Sequence, residues 1–108
     1  MIIEHNTINK VRIENFRGGV GAIFIQRYDD ESKMIARITI PPKSSIGFHQ
    51  HVGDEEIIYV IEGQGLCKTE VATEVIKAGI VNYIKNGESH GITNTSDKDL
   101  ILLAIILK

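Results

Sequence analysis

No stretch of the chain carries an apolar stripe at helical spacing for three turns. Apolar residues fall into short runs, some alternating and some continuous, broken about every ten residues by Gly, Pro or Asn-Gly. The pattern predicts strands at GAIFIQRY (21–28), MIARITI (34–40), IGFHQH (46–51), EIIYVIE (56–62) and LCKTEV (66–71). It continues with TEVIK (73–77), IVNYIK (80–85), HGITNT (90–95) and LILLAIIL (100–107). PPKSS (41–45), EGQG (62–65), KAG (77–79) and KNGES (85–89) supply the turns, since Gly, Pro and Asn favour the dihedrals that reverse a chain.

Many short strands with almost no helix make an all-β fold, an antiparallel sandwich or small barrel. Residues 1–108 read as one domain, with no repeat or linker, close to the smallest size that buries a core without staples. EIIYVIE and LILLAIIL are apolar on both faces, so their outer sides need cover. A partner subunit would provide it, which predicts a homodimer. The alternative cover is the N-terminal arm, residues 1–20, folded back over a barrel core at 34–107.

Composition narrows the function. A net charge of −2 with no basic stripe gives a nucleic-acid partner no electrostatic support. The single cysteine, Cys67, makes no internal disulfide and suits a reducing, cytoplasmic setting, where it reads as core filler. MIIEHNTINK lacks the pattern of a signal peptide, and LILLAIIL is too short to span a bilayer.

Chemistry concentrates in HQHVGDEE (49–56), which holds two of the four histidines just ahead of three acids. Side chains alternate along a strand, so His49 and His51 share a face. Two imidazoles inside an apolar barrel are costly unless something pairs with them, and a metal ion is the natural partner. Asp54, Glu55 and Glu56 are all candidate carboxylates; Glu56 opens the next strand, and His90 arrives from a further one.

The wider spacing is more specific. His49, His51, Glu56 and Gly63 follow H-x-H-x(4)-E-x(6)-G. Gly79, Gly87, His90 and Asn94 follow G-x(5)-P-x-G-x(2)-H-x(3)-N, except that Lys85 replaces the proline. In order and spacing these resemble the two motifs of the cupin superfamily, over residues 34–107. The resemblance implies a small jelly-roll-like β-barrel, a double-stranded β-helix, with His49, His51, Glu56 and His90 as metal ligands. Three imidazoles and a carboxylate suit one divalent transition metal; manganese or iron is favoured over nickel, cobalt and zinc, because both take six ligands and leave room for a bound anion.

The chain also looks like small single-domain cupins of the oxalate-decarboxylase-like type, which implies an organic acid as ligand. It departs from the two-domain decarboxylases in two respects. Those carry an arginine three residues before the first metal histidine, where this chain has Ile46, and a lid glutamate beyond the second motif, where TSDKD leads straight into the last strand. Strand parity makes Ile46, Ile58, Val60 and Ile92 the pocket wall, with no cation beside it, and Asn94 a tie for the strand end. Glu88 is the nearest unassigned acid to His90 and is the candidate general acid or base. Two functions follow: a metal-dependent lyase or dioxygenase acting on a small carboxylate, or a non-catalytic binder of a sugar or organic acid.

Overall fold

A computed structural model describes all residues, Met1–Lys108. Ten strands are present: β1 (Val11–Glu14), β2 (Ala22–Asp29), β3 (Lys33–Ile40), β4 (Ser45–Gln50), β5 (Glu55–Glu62), β6 (Gln64–Thr69), β7 (Thr73–Lys77), β8 (Val81–Ile84), β9 (Ser89–Thr93) and β10 (Leu100–Leu107). Each strand predicted from the sequence is found, with ends shifted by at most two residues. The strand that the pattern does not reveal is β1.

All pairings are antiparallel, in a six-stranded sheet of order β1-β2-β3-β10-β5-β8 and a four-stranded sheet of order β4-β9-β6-β7. The sheets pack face to face over a cluster of 15 buried apolar residues, rich in isoleucine. The β-branched side chain suits a pleated surface, and each one fully buried contributes on the order of 1.5–3 kcal/mol. On β3, Met34, Ala36, Ile38 and Ile40 point inward, which leaves Arg37 on the outer face.

On β10, Leu100, Leu102 and Ala104 are buried, while Ile101, Leu103 and Ile105 line the outside and are half-buried. Beside them on β5, Tyr59 and Ile61 are 43% and 45% exposed, so this outer face is apolar and open. The arm does fold back on its own barrel, but along β2 and β4. β1 adds to the edge of β2, and the Gln26 amide donates to the carbonyls of His5 and Ile8 at 2.7 and 3.1 Å. A short 3-10 turn at Phe16–Gly18 then packs on β4.

Candidate metal centre

One irregularity in β4 shapes the site. Its register against β9 shifts between Ile46 and His49: Ile46 faces Ile92, whereas His49 faces His90. A regular strand would turn Ile46 and His49 to opposite faces, because they are three apart; one extra residue brings both inward. Gly47 sits in this bulge because nothing larger fits. A Cβ there would lie 2.0 Å from the Arg17 carbonyl oxygen, and one on Gly19 would lie 2.1 Å from that of Ser45. The bulge and the Phe16–Gly18 turn thus interlock through two glycines.

The structure brings His49, His51, Glu56 and His90 together, with one ligand atom from each all within 4.8 Å of one another. His51 Nε2 lies 3.2 Å from the Nε2 of both His49 and His90. Glu56 Oε1 lies 3.2 Å from His51 Nε2 and 2.9 Å from His90 Nε2. His51, Glu56 and His90 are buried, while His49 is partly exposed at the mouth.

Each imidazole is held from behind. The Nδ1–H of His49 donates to the Gly47 carbonyl at 2.7 Å, that of His51 to Asp54 Oδ1 at 2.9 Å, and that of His90 to Asn82 Oδ1 at 2.7 Å. With Nδ1 protonated, all three Nε2 lone pairs point at one spot, which fixes the tautomer a metal requires. Three lone pairs and a carboxylate oxygen crowded this closely repel one another unless a cation lies among them. The residues therefore fit a divalent ion. Burial pushes His49 below the ordinary imidazole pKa, against the pull of the Gly47 carbonyl, and the nearby charges of His90 and Arg17 push the same way. A neutral imidazole is the ligating form.

Asp54 thus lies behind His51 and orients it, and Asn82, which the motifs do not single out, does the same for His90. Asn94 ties the strand end, donating to the carbonyls of Ile40 and Lys98 at 2.8 and 2.7 Å.

The cavity above these four residues encloses about 160 Å³ and is lined by Phe16, Arg17, Ile25, Arg27, Met34, Ile38, Ile46 and Ile106 together with the four. Of the four predicted wall residues only Ile46 lines it. Ile58, Val60 and Ile92 sit deeper, at 1%, 0% and 1% exposure, because parity fixes the face a side chain takes but not its depth in the barrel. The expectation of a pocket without a cation is also overturned, by Arg17 and Arg27.

Glu88 lies outside the cavity. Its exposed carboxylate accepts the Lys85 N–H at 2.8 Å, and its carbonyl accepts the His51 N–H at 2.9 Å. It closes the Lys85–Glu88 turn, to which the His51 backbone is hydrogen-bonded, and does not line the cavity. A larger groove of about 690 Å³, lined mostly by polar residues such as Glu62, Asp97 and Lys98, lies at the other end of the barrel, where β10 begins.

The fold is that of a cupin, and the four clustered side chains make a candidate metal site within it. A family model for the cupin domain matches residues 36–106, and the chain belongs to that family. A Thermotoga maritima protein named "Oxalate-binding protein" is 36% identical over 113 residues, 99% of this chain and 93% of the relative. A crystal structure from the same organism, described as a "predicted oxalate decarboxylase", superposes with a TM-score of 0.93 at 36% identity, covering 99% of this chain and 98% of that one. An RmlC-like cupin from Shewanella frigidimarina, 16% identical with a TM-score of 0.81 over 97% of this chain and 87% of its own, shares the fold.

Proposed function

We propose that the chain binds one divalent transition metal through His49, His51, Glu56 and His90, and on that metal a small organic acid such as oxalate. The convergence of three Nε2 atoms and one carboxylate oxygen on the floor of a small cavity carries this reading. Manganese is the favoured ion, with iron next, because a six-coordinate preference leaves room for a bound acid. When bound, the metal supplies Lewis-acid polarisation of the acid's oxygens. The 160 Å³ cavity is well below the ~300–1,000 Å³ of sites for drug-sized ligands, which favours an acid of few atoms over a sugar. The name of the Thermotoga relative supports oxalate.

Binding is favoured over turnover. Decarboxylation requires a proton donor at the product carbanion, yet Glu56, itself a ligand, is the only carboxylate lining the cavity. The intact ligand set and the description of the Thermotoga structure favour a lyase or dioxygenase as the second reading.

Elemental analysis of protein purified without added metal tests the first step. About one equivalent is expected, and none in His51→Ala combined with His90→Ala; a double variant that keeps its metal overturns the ligand assignment. Calorimetric titration of manganese-loaded protein with oxalate, with formate and peroxide followed for hours, tests the second. Binding without product is expected. Absence of binding overturns the organic-acid reading, and rapid product overturns the binder.

We also propose a homodimer through the outer faces of β5 and β10, where Tyr59 and Ile61 are exposed, in a reducing cytoplasm that suits free, buried Cys67. Light scattering should give about twice 12.0 kDa at micromolar concentration; the monomer mass would overturn it.

A further inference from the structure

Two arginines line the cavity, Arg17 and Arg27, and neither forms an ion pair with a carboxylate. The chain's ion pairs involve Arg12, Lys33, Lys108 and the metal-site histidines; Arg17 and Arg27 join none of them. Arg27 shares the inward face of β2 with Ile23 and Ile25, and its exposure places it at the mouth. Arg17 comes from the Phe16–Gly18 turn, with its guanidinium carbon 5.6 Å from the centroid of the Phe16 ring.

The backbone at Arg17 is left-handed, with φ 55° and ψ 30°, a conformation that costs a non-glycine residue roughly 1 kcal/mol or more. The interlock of Gly19 and Gly47 holds this turn against the bulge whose carbonyl orients His49. The Arg17 backbone is thus set at a fixed place relative to the four clustered residues, and its exposed side chain lines the cavity beside them. A divalent ion among these residues would face the carboxylates of Glu56 and, behind His51, of Asp54, so Arg17 and Arg27, which pair with neither, leave the pocket net positive. A guanidinium fork matches a carboxylate in two parallel hydrogen bonds.

We infer that Arg17 and Arg27 form a clamp that selects dianions over monoanions, gripping the carboxylate of the ligand that faces away from the metal-binding histidines. The inference rests on the proposed binding of an organic acid at the metal. It assigns selectivity to the N-terminal arm and β2, neither of which supplies a metal ligand.

The test compares oxalate with acetate by calorimetry on the manganese-loaded full chain, in wild type, Arg17→Gln, Arg27→Gln and Arg17→Gly. Each variant should weaken oxalate binding about 10- to 100-fold, the loss of a charge-assisted hydrogen bond, while acetate changes less than about threefold. Metal content should stay unchanged. Arg17→Gly removes the clamp and the left-handed strain together, so its melting temperature should hold or rise while oxalate affinity falls. That result separates the clamp from damage to the fold. Wild-type affinity for oxalate in both Gln variants, or an equal loss for acetate, overturns the clamp and leaves metal-bound acid standing. Failure of the wild type to bind oxalate overturns that reading first, and the clamp with it.

Discussion

Asn82→Ala should weaken metal binding without touching a proposed ligand. Asn82 Oδ1 accepts the His90 Nδ1–H at 2.7 Å, and His90 is 1% exposed. Alanine leaves a buried N–H without an acceptor, which costs about 1–3 kcal/mol. His90 escapes that cost by moving its proton to Nε2, where Glu56 Oε1 waits at 2.9 Å. That tautomer occupies two ligand atoms at once, since Nε2 carries the proton and Oε1 accepts it. Metal affinity should therefore fall about 10- to 100-fold, the usual consequence of removing a group that orients a ligand, or about 1.4–2.7 kcal/mol. The two magnitudes agree because they describe the same lost hydrogen bond. Competition against a chelator measures the affinity, and nitrogen chemical shifts of the imidazole report the tautomer. Asn82→Asp keeps an acceptor and should stay within a few-fold of wild type. Affinity within about threefold of wild type in Asn82→Ala, or an equal loss in Asn82→Asp, would refute the reasoning.

Gly47→Ala places a methyl group 2.0 Å from the Arg17 carbonyl oxygen, so turn or bulge must move. The expected loss is about 1–3 kcal/mol, a fall in melting temperature on the order of 5–20 °C by calorimetry; an unchanged melting temperature would show that the interlock is slack. Cys67 is buried, and burial pushes its thiol up from 9.0 to about 11. A thiol reagent at pH 8 should label it only after unfolding, and rapid native labelling would contradict its burial. Because the unfolded thiol ionises first, the native state should also lose stability as pH rises from 9 towards 11, which denaturant titrations at several pH values can follow.

The fold was largely legible because turns recur at strand spacing and the inward side chains of β3, Met34, Ala36, Ile38 and Ile40, obey period two. β1 escaped because VRIE carries one half-buried apolar side chain, Ile13, and exists only as an addition to the edge of β2. The cluster of His49, His51, Glu56 and His90 was legible only through the resemblance to the two cupin motifs; local spacing by itself left Asp54, Glu55 and Glu56 as equal candidates. The cavity wall was not legible, because parity fixes the face that Ile58, Val60 and Ile92 take but not how deep in the barrel they lie. Arg27 could have been found, since it follows Ile23 and Ile25 at alternate positions of β2. Arg17 could not: its place comes from a left-handed turn that follows no period. Glu88 lies close to His90 in sequence, but the turn consumes its carboxylate.

The position of β10 has a further consequence. It lies between β3 and β5 at the centre of the larger sheet, although it follows every other strand in the chain. As the polypeptide leaves the ribosome, β3 and β5 are both made long before the segment that joins them. Until residues 100–107 emerge, two apolar strand edges stand open, and the sheet cannot close by pairing sequence neighbours. Such a topology folds slowly, over milliseconds to seconds, and exposes the nascent chain to sticking during that wait. All four metal-site residues are synthesised earlier, yet β5, which bears Glu56, gains its second neighbour only when β10 arrives. A polypeptide stalled before Leu100 would hold every ligand and have no fixed place to bring them together.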